Sequence, residues 1–159
     1  MDQDLFFKGE TITEFIESLG GVREKFEQHM AEINTINDLP GDINMAVIAE
    51  AWSGDVLYYV PVLFRIAQDA GWNVRVFRRD QYPQLIDQYR KDGLYRSIPV
   101  AVIYDHDFNE IAHWIERPEE ATRVIEEESL KLRRRLREEH KTEWREAAIK
   151  EVKNLIKPL

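Results

Sequence analysis

Residues 50–56 read Glu50-Ala51-Trp52-Ser53-Gly54-Asp55-Val56 and mark a turn from a strand to a helix. It follows a short apolar run at 43–50, of the kind that is buried on both faces of a parallel sheet, and it opens a helical pattern over 56–70. Asp55 stands where its carboxylate could accept hydrogen bonds from the free amides at the start of that helix. A second landmark, Ser97-Ile98-Pro99-Val100, precedes a later apolar run.

The order of the elements predicts an α/β fold. Pro61 lies inside the first long helix and should introduce a kink there. Apolar runs and helical spacing place the remaining elements as a strand at 73–79, a helix at 82–91, and two strands at 100–104 and 111–115. The last two strands are joined by a polar turn and form an antiparallel hairpin. The resulting order is β-α-β-α-β-β.

These landmarks resemble the thioredoxin family, whose active site is Trp-Cys-Gly-Pro-Cys at a strand-to-helix turn, faced by an Ile-Pro with a cis peptide bond. The resemblance covers a core at about 43–117 and implies a three-layer α/β/α sandwich. It is closest to a bacterial branch in which Gly-Asp replaces Gly-Pro. The family often has a proline near the place of Pro61.

The family's redox chemistry is missing. Ser53 and Val56 stand where the two reactive cysteines would be, and the chain has no cysteine at all. A hydroxyl at position 53 cannot form a disulfide, and Val56 cannot resolve one. Val47 stands where thioredoxins usually have a buried Asp that handles protons for the second cysteine. We therefore interpret Trp52, Ser53, Gly54, Asp55 and Val56 as a vestigial redox motif without catalytic residues.

The resemblance implies that the chain keeps the shallow peptide-binding groove of the family. The backbone of Ile98, before the cis Pro99, would pair with an extended peptide. Trp52, Tyr59 and Tyr95 are placed to supply aromatic contacts. We predict a non-catalytic binding or scaffolding protein without a cofactor. The alternative is a thiol-disulfide oxidoreductase whose nucleophile is replaced, naturally or by engineering, with Ser53.

Both ends of the chain extend beyond this core, within a single domain of 159 residues. Residues 1–42 form an N-terminal helical extension with Thr13 as an N-cap, and residues 118–159 form a C-terminal helical extension to Lys157. Leu132, Leu136 and Trp144 fall near one apolar stripe of this region, which we expect to pack on the body or on a second copy. A homodimer through this helical region is therefore a third hypothesis.

Composition excludes several classes of function. The net charge of −8 argues against a nucleic-acid partner. The apolar runs are far shorter than the ~20 residues that span a bilayer, so we expect no membrane partner and a cytoplasmic location.

Three other patterns are better explained by structure than by chemistry. Ser53 lacks the Gly-x-Ser-x-Gly context of a hydrolase, and none of the four His residues is tied to it. Asp105–Glu116 superficially matches a calcium loop, but its sixth position is Glu110 rather than Gly, so we expect a hairpin tip and no metal site. Arg78-Arg79 and Arg133–Arg135 are expected to be solvated charges paired with nearby Glu.

Overall fold

The computed structural model describes residues 1–156, which form two compact units. The first unit spans Met1–Arg117 and the second begins at Pro118. All the residues of the vestigial redox motif and of the predicted groove belong to the first unit.

A four-stranded sheet is the centre of the first unit. Its strands are β1 (Asn44–Ala49), β2 (Asn73–Arg78), β3 (Val100–Tyr104) and β4 (Glu110–Ile115), in the spatial order β2-β1-β3-β4. β1 and β2 are parallel, whereas β3 is antiparallel to both β1 and β4. Every residue of β1 is buried, as its uninterrupted apolar run predicts. The predicted α/β architecture, with helices flanking a sheet, is confirmed.

The unit contains five helices in addition to the sheet. They are α1 (Gln3–Phe6), α2 (Ile12–Glu17), α3 (Arg23–Glu32), α4 (Gly54–Ala70) and α5 (Pro83–Ile86). α4 is the crossover between the parallel strands. It continues through Pro61 and ends at Gly71, whose positive φ of 72° suits a residue without a Cβ.

The helix expected at 82–91 is shorter than its pattern suggests. α5 ends at Ile86 and is followed by a 3-10 turn at Asp87–Tyr89. The chain then turns through Asp92 and Gly93, both at positive φ, and the Lys91 amide donates to the Tyr95 carbonyl over 2.8 Å. This tight loop replaces the last helical turn.

The N-terminal residues share the core of the sheet. Phe15 and Phe26 are fully buried and pack edge-to-face with each other and with Phe64 of α4, at centroid distances of 5.8–6.0 Å. Glu10 exchanges two backbone hydrogen bonds with Val76 of β2. Thr11, rather than the expected Thr13, caps α2, because its hydroxyl accepts from the Glu14 amide in a capping box. The segment 1–42 is therefore an integral part of the first unit.

The second unit consists of two helices, α6 (Glu119–Glu139) and α7 (Lys141–Ile156). The expected continuous helix is interrupted at His140, whose φ of −105° and ψ of 17° are not helical. The predicted helix end at Lys157 lies outside the described residues. No helix in the described part of the chain is long and apolar enough to cross a membrane.

The aromatic cluster generates a stability prediction. Phe26→Ala should lower the free energy of unfolding by about 3–5 kcal/mol, because it leaves a cavity between two buried rings. Phe7→Ala is the control, since this ring is about half exposed, and it should cost about 1 kcal/mol or less. Urea unfolding followed by tryptophan fluorescence measures both. Equal losses for the two variants would contradict a core role for residues 1–42.

Candidate functional site

The strand-to-helix turn places Ser53 at the N-terminus of α4. Ser53 has an extended backbone, with φ −83° and ψ 125°, and its hydroxyl oxygen accepts a hydrogen bond from the Val56 amide over 3.3 Å. Ser53, rather than Asp55, is thus the acceptor for the free amides of the helix. The hydroxyl group occupies the place where a thiolate would be stabilised by the helix N-terminus.

A second chain segment lies against this turn. The Ile98–Pro99 peptide bond is cis, and both residues are buried. Neither the amide nor the carbonyl of Ile98 makes a hydrogen bond to any residue within 1–156. Buried backbone groups are normally hydrogen-bonded, so the amide and the carbonyl of Ile98 leave one free donor and one free acceptor in this segment.

A shallow groove of about 360 Å³ separates these two segments. Trp52 and Tyr95 are its exposed aromatic residues, at 63% and 61% exposure. The groove is lined by Trp52, Ser53, Asp55, Arg79, Tyr95, Arg96, Ser97, Ile98 and Glu116. The groove therefore brings together five of the expected site residues, which are Trp52, Ser53, Asp55, Tyr95 and Ile98.

Tyr59 and Pro99 do not line the groove. The ring of Tyr59 packs edge-to-face on Trp114 of β4 at a centroid distance of 5.8 Å. Pro99 is buried beneath the groove, where its carbonyl accepts from the Glu116 amide over 2.6 Å. Gly54 and Val56 form the first turn of α4, and Val56 is fully buried.

Arg79 forms part of the rim of the groove. Its guanidinium carbon lies 4.7 Å from the centroid of the Trp52 ring, which is a cation–π arrangement. Its Nε donates to Asp80 over 2.9 Å. Stacking on Arg79 restricts the Trp52 side chain, so an exposed aromatic ring is held in a defined orientation beside the groove.

Arg96 is the second cation of the rim. It donates two parallel hydrogen bonds to the carboxylate of Asp87, over 2.6 and 2.7 Å. These bonds from Arg96, with help from Arg90, lower the pKa of Asp87 to about 2, against the opposing effect of desolvation. Asp87 therefore stays ionised at all physiological pH values and fixes one side of the loop that carries Tyr95.

The acidic residues of the groove are also paired. Arg117 Nη2 lies 3.0 Å from Asp55 Oδ2 and 2.6 Å from Glu116 Oε1, and Lys91 contacts the other oxygen of Glu116. Burial acts to raise the pKa of Glu116, but the hydrogen bonds from Lys91 and Arg117 outweigh it, so the net pKa is lowered. The groove therefore presents charges that are already compensated, around an aromatic and backbone surface.

Sequence reasoning missed Arg79, Arg96 and Glu116 as groove residues. Arg79 was expected to be a solvated charge at the end of a strand. A signal for it was present, because parallel strands β1 and β2 end at the same edge of the sheet, so residues after each end come together. Arg78, its neighbour, instead pairs with Glu10 over 2.8 Å.

The other chemical patterns lie elsewhere. None of the four histidines lines the groove. Asp105 uses its carboxylate to accept from the Asp107 and Asn109 amides, each over 2.9 Å, as a hairpin tip does. Within residues 1–156, no group of three or more His, Asp or Glu side chains is arranged to hold a metal ion.

Comparison with known proteins identifies the family of the chain. A sequence model of the family described as Thioredoxin matches residues 10–131, which include both the Trp52 turn and the Ile98–Pro99 segment. A search of curated proteins gave no match.

Two solved structures show the same fold. One is a protein of unknown function from Pseudomonas aeruginosa, with a TM-score of 0.61 and 19% identity over 72% of this chain and 76% of that chain. The other is an HIV epitope-scaffold, with a TM-score of 0.61 and 19% identity over 73% of this chain and 77% of that chain. The sheet order, the turn at Ser53 and the family match agree, and the chain belongs to the thioredoxin family, within which it has no active-site cysteine.

Proposed function

We propose that this protein is a non-catalytic member of its family that binds an extended peptide, or an extended segment of a protein, in the groove between Trp52 and Ile98. One observation carries the proposal. The backbone amide and carbonyl of Ile98 have no partner within residues 1–156, and two exposed aromatic rings stand beside them. A peptide backbone would supply the missing partners by adding a short strand.

The charges of the groove support recognition of backbone and apolar side chains rather than of a charged ligand. Asp55 and Glu116 are bound by Arg117, and Arg96 is bound by Asp87. A ligand that competed for these groups would have to break pairs that are already made. Trp52 and Tyr95 offer large apolar surfaces at a low cost in side-chain entropy.

Thiol-disulfide exchange requires a thiolate, and the chain as it stands has none. Peptide binding needs only the groove, so it survives the replacement at position 53. A bacterial origin and a cytoplasmic location belong to this proposal. The first rests on the resemblance of the Trp52–Asp55 motif, and the second on the sequence composition.

Peptides selected from a random library on the full chain test the groove. Trp52→Ala and Tyr95→Ala should each weaken binding of a selected peptide by about tenfold or more, as expected for central aromatic contacts. Calorimetric titration measures the dissociation constants.

The matched controls are Trp144→Ala and Tyr58→Ala, because these rings are exposed but lie outside the groove. Both should leave the affinity unchanged. An N-methyl scan of the peptide should show losses confined to the positions that pair with Ile98. Loss of affinity in the control variants, or tolerance of N-methylation at every position, would refute the proposal.

The second candidate, an oxidoreductase whose nucleophile is replaced, is tested by Ser53→Cys. The introduced thiol should react with iodoacetamide at neutral pH about fivefold faster than the thiol of Ala147→Cys, at an exposed position in the middle of α7, because the start of α4 stabilises the thiolate. Insulin reduction should stay at background, since Val56 supplies no resolving thiol.

Alkylation at the same rate as the mid-helix thiol of the Ala147→Cys variant would show that the turn does not activate a nucleophile. Catalytic insulin reduction by Ser53→Cys would instead favour the oxidoreductase.

A further inference from the structure

One face of α6 carries apolar side chains that are exposed or only partly covered within residues 1–156. Ile125, Ser129, Leu132 and Leu136 follow each other at spacings of four, three and four, which puts them on one stripe of the helix. Ile125 and Leu132 are 44% and 45% exposed. A shallow concavity along this stripe is bordered by Glu128 and Arg135.

A helix of this kind normally owes its stability to packing. α6 has 21 residues and none of them is buried. In most proteins the amphipathic face of a helix contributes more stability by packing than intrinsic propensity does. The apolar stripe therefore indicates an interface, and the charged residues of α6 indicate which partner binds there.

The charges of α6 are divided along its length. Glu119–Glu128 contains five Glu and one Arg, whereas Ser129–Glu139 contains five Lys or Arg and two Glu. The helix dipole favours such an arrangement only within the first and last turns. It does not account for this division, because four of the five basic residues lie in the middle turns, and in the last turn Arg137 is followed by Glu138 and Glu139.

We propose that α6 pairs in antiparallel orientation with α6 of a second copy of this chain. With Ile125 against Leu136 of the second copy, Ser129 falls against Leu132 of the second copy, so the two stripes cover each other. The residues on either side of the stripe then meet across the interface. Glu126 lies beside Arg133 of the second copy, and Glu128 lies beside Arg135 of the second copy. The twofold symmetry repeats each contact, which gives four Glu–Arg pairs.

A parallel pairing fits less well. It would align the acidic half with the acidic half of the second copy and the basic half with the basic half. With the same heptad positions at the interface, a parallel pair would place Glu139 against Glu139 of the second copy. The antiparallel pairing places Glu139 opposite Thr122 of the second copy. The division of charge therefore selects both the partner and its orientation. This inference does not depend on the groove, which lies in the other unit.

A charge-swap experiment on the full chain tests the proposal. We expect the unmodified chain to sediment as a dimer. Glu126→Arg with Glu128→Arg should raise the dimer dissociation constant by at least about tenfold, because four attractive pairs become repulsive. Arg133→Glu with Arg135→Glu should do the same.

A mixture of the two reversed variants should recover the dimer as a heterodimer, since the opposite charges meet again. This recovery also shows that neither variant has lost its helix. The matched control is Glu120→Arg with Glu127→Arg, which makes the same change of charge on the outer face and should leave the dissociation constant within about twofold.

The absence of cysteine allows a direct test of orientation. Ile125→Cys mixed with Leu136→Cys should form an intermolecular disulfide under mild oxidation. Ile125→Cys alone should not, because eleven residues separate the two layers and place its thiols roughly 16 Å apart.

Three results would overturn the proposal. They are a monomer of the unmodified chain at micromolar concentration, an equal effect of the outer-face control, and no recovery in the mixture of the two reversed variants. A disulfide in Ile125→Cys alone would replace it with a parallel pairing.

Discussion

The start of α4 is the constraint on which the site depends. A helix that begins at the end of a buried strand exposes amides that need an acceptor, and Ser53 supplies it to Val56. In a redox-active relative the same amides would stabilise a thiolate. Serine meets the structural requirement, because its hydroxyl oxygen is a good helix cap. It does not supply the nucleophile that the reaction needs, because the hydroxyl stays protonated. The fold therefore survives the loss of the reaction.

Arg117 provides the second constraint. It binds Asp55 at the start of α4 and Glu116 next to it, while the Glu116 amide holds the carbonyl of Pro99. One guanidinium group thus joins the helix start to the segment before β3. Its Nε is buried without a hydrogen-bond partner in the described residues. That unpaired donor costs stability, and the two carboxylates on Nη2 offset it while fixing the floor of the groove.

The fold could be predicted from local patterns, because the strands are short runs bounded by polar residues, the segment between β1 and β2 has helical spacing, and a polar turn joins β3 to β4. The site could be predicted only in part. Trp52, Tyr95 and Ile98 follow from the motif, but Asp55 was expected to accept from the helix amides, and Ser53 does so because only it has the extended backbone of a cap. Tyr59 lies three residues beyond the motif, on the face that packs against Trp114. Sequence spacing alone does not reveal that the Tyr59 side chain is directed toward β4, because the spacing does not give the position of β4.

The two proposals, taken together, have a consequence for affinity. A groove formed by backbone groups and two aromatic rings would bind a single peptide weakly, because ordering the peptide costs entropy that few contacts offset. A chain paired through α6 would present two such grooves in one particle. A partner with two suitable segments would then bind the second groove at a high effective concentration, and its avidity would exceed the affinity of either segment. In a family member without a covalent step, pairing of copies is thus a physical route to useful binding strength.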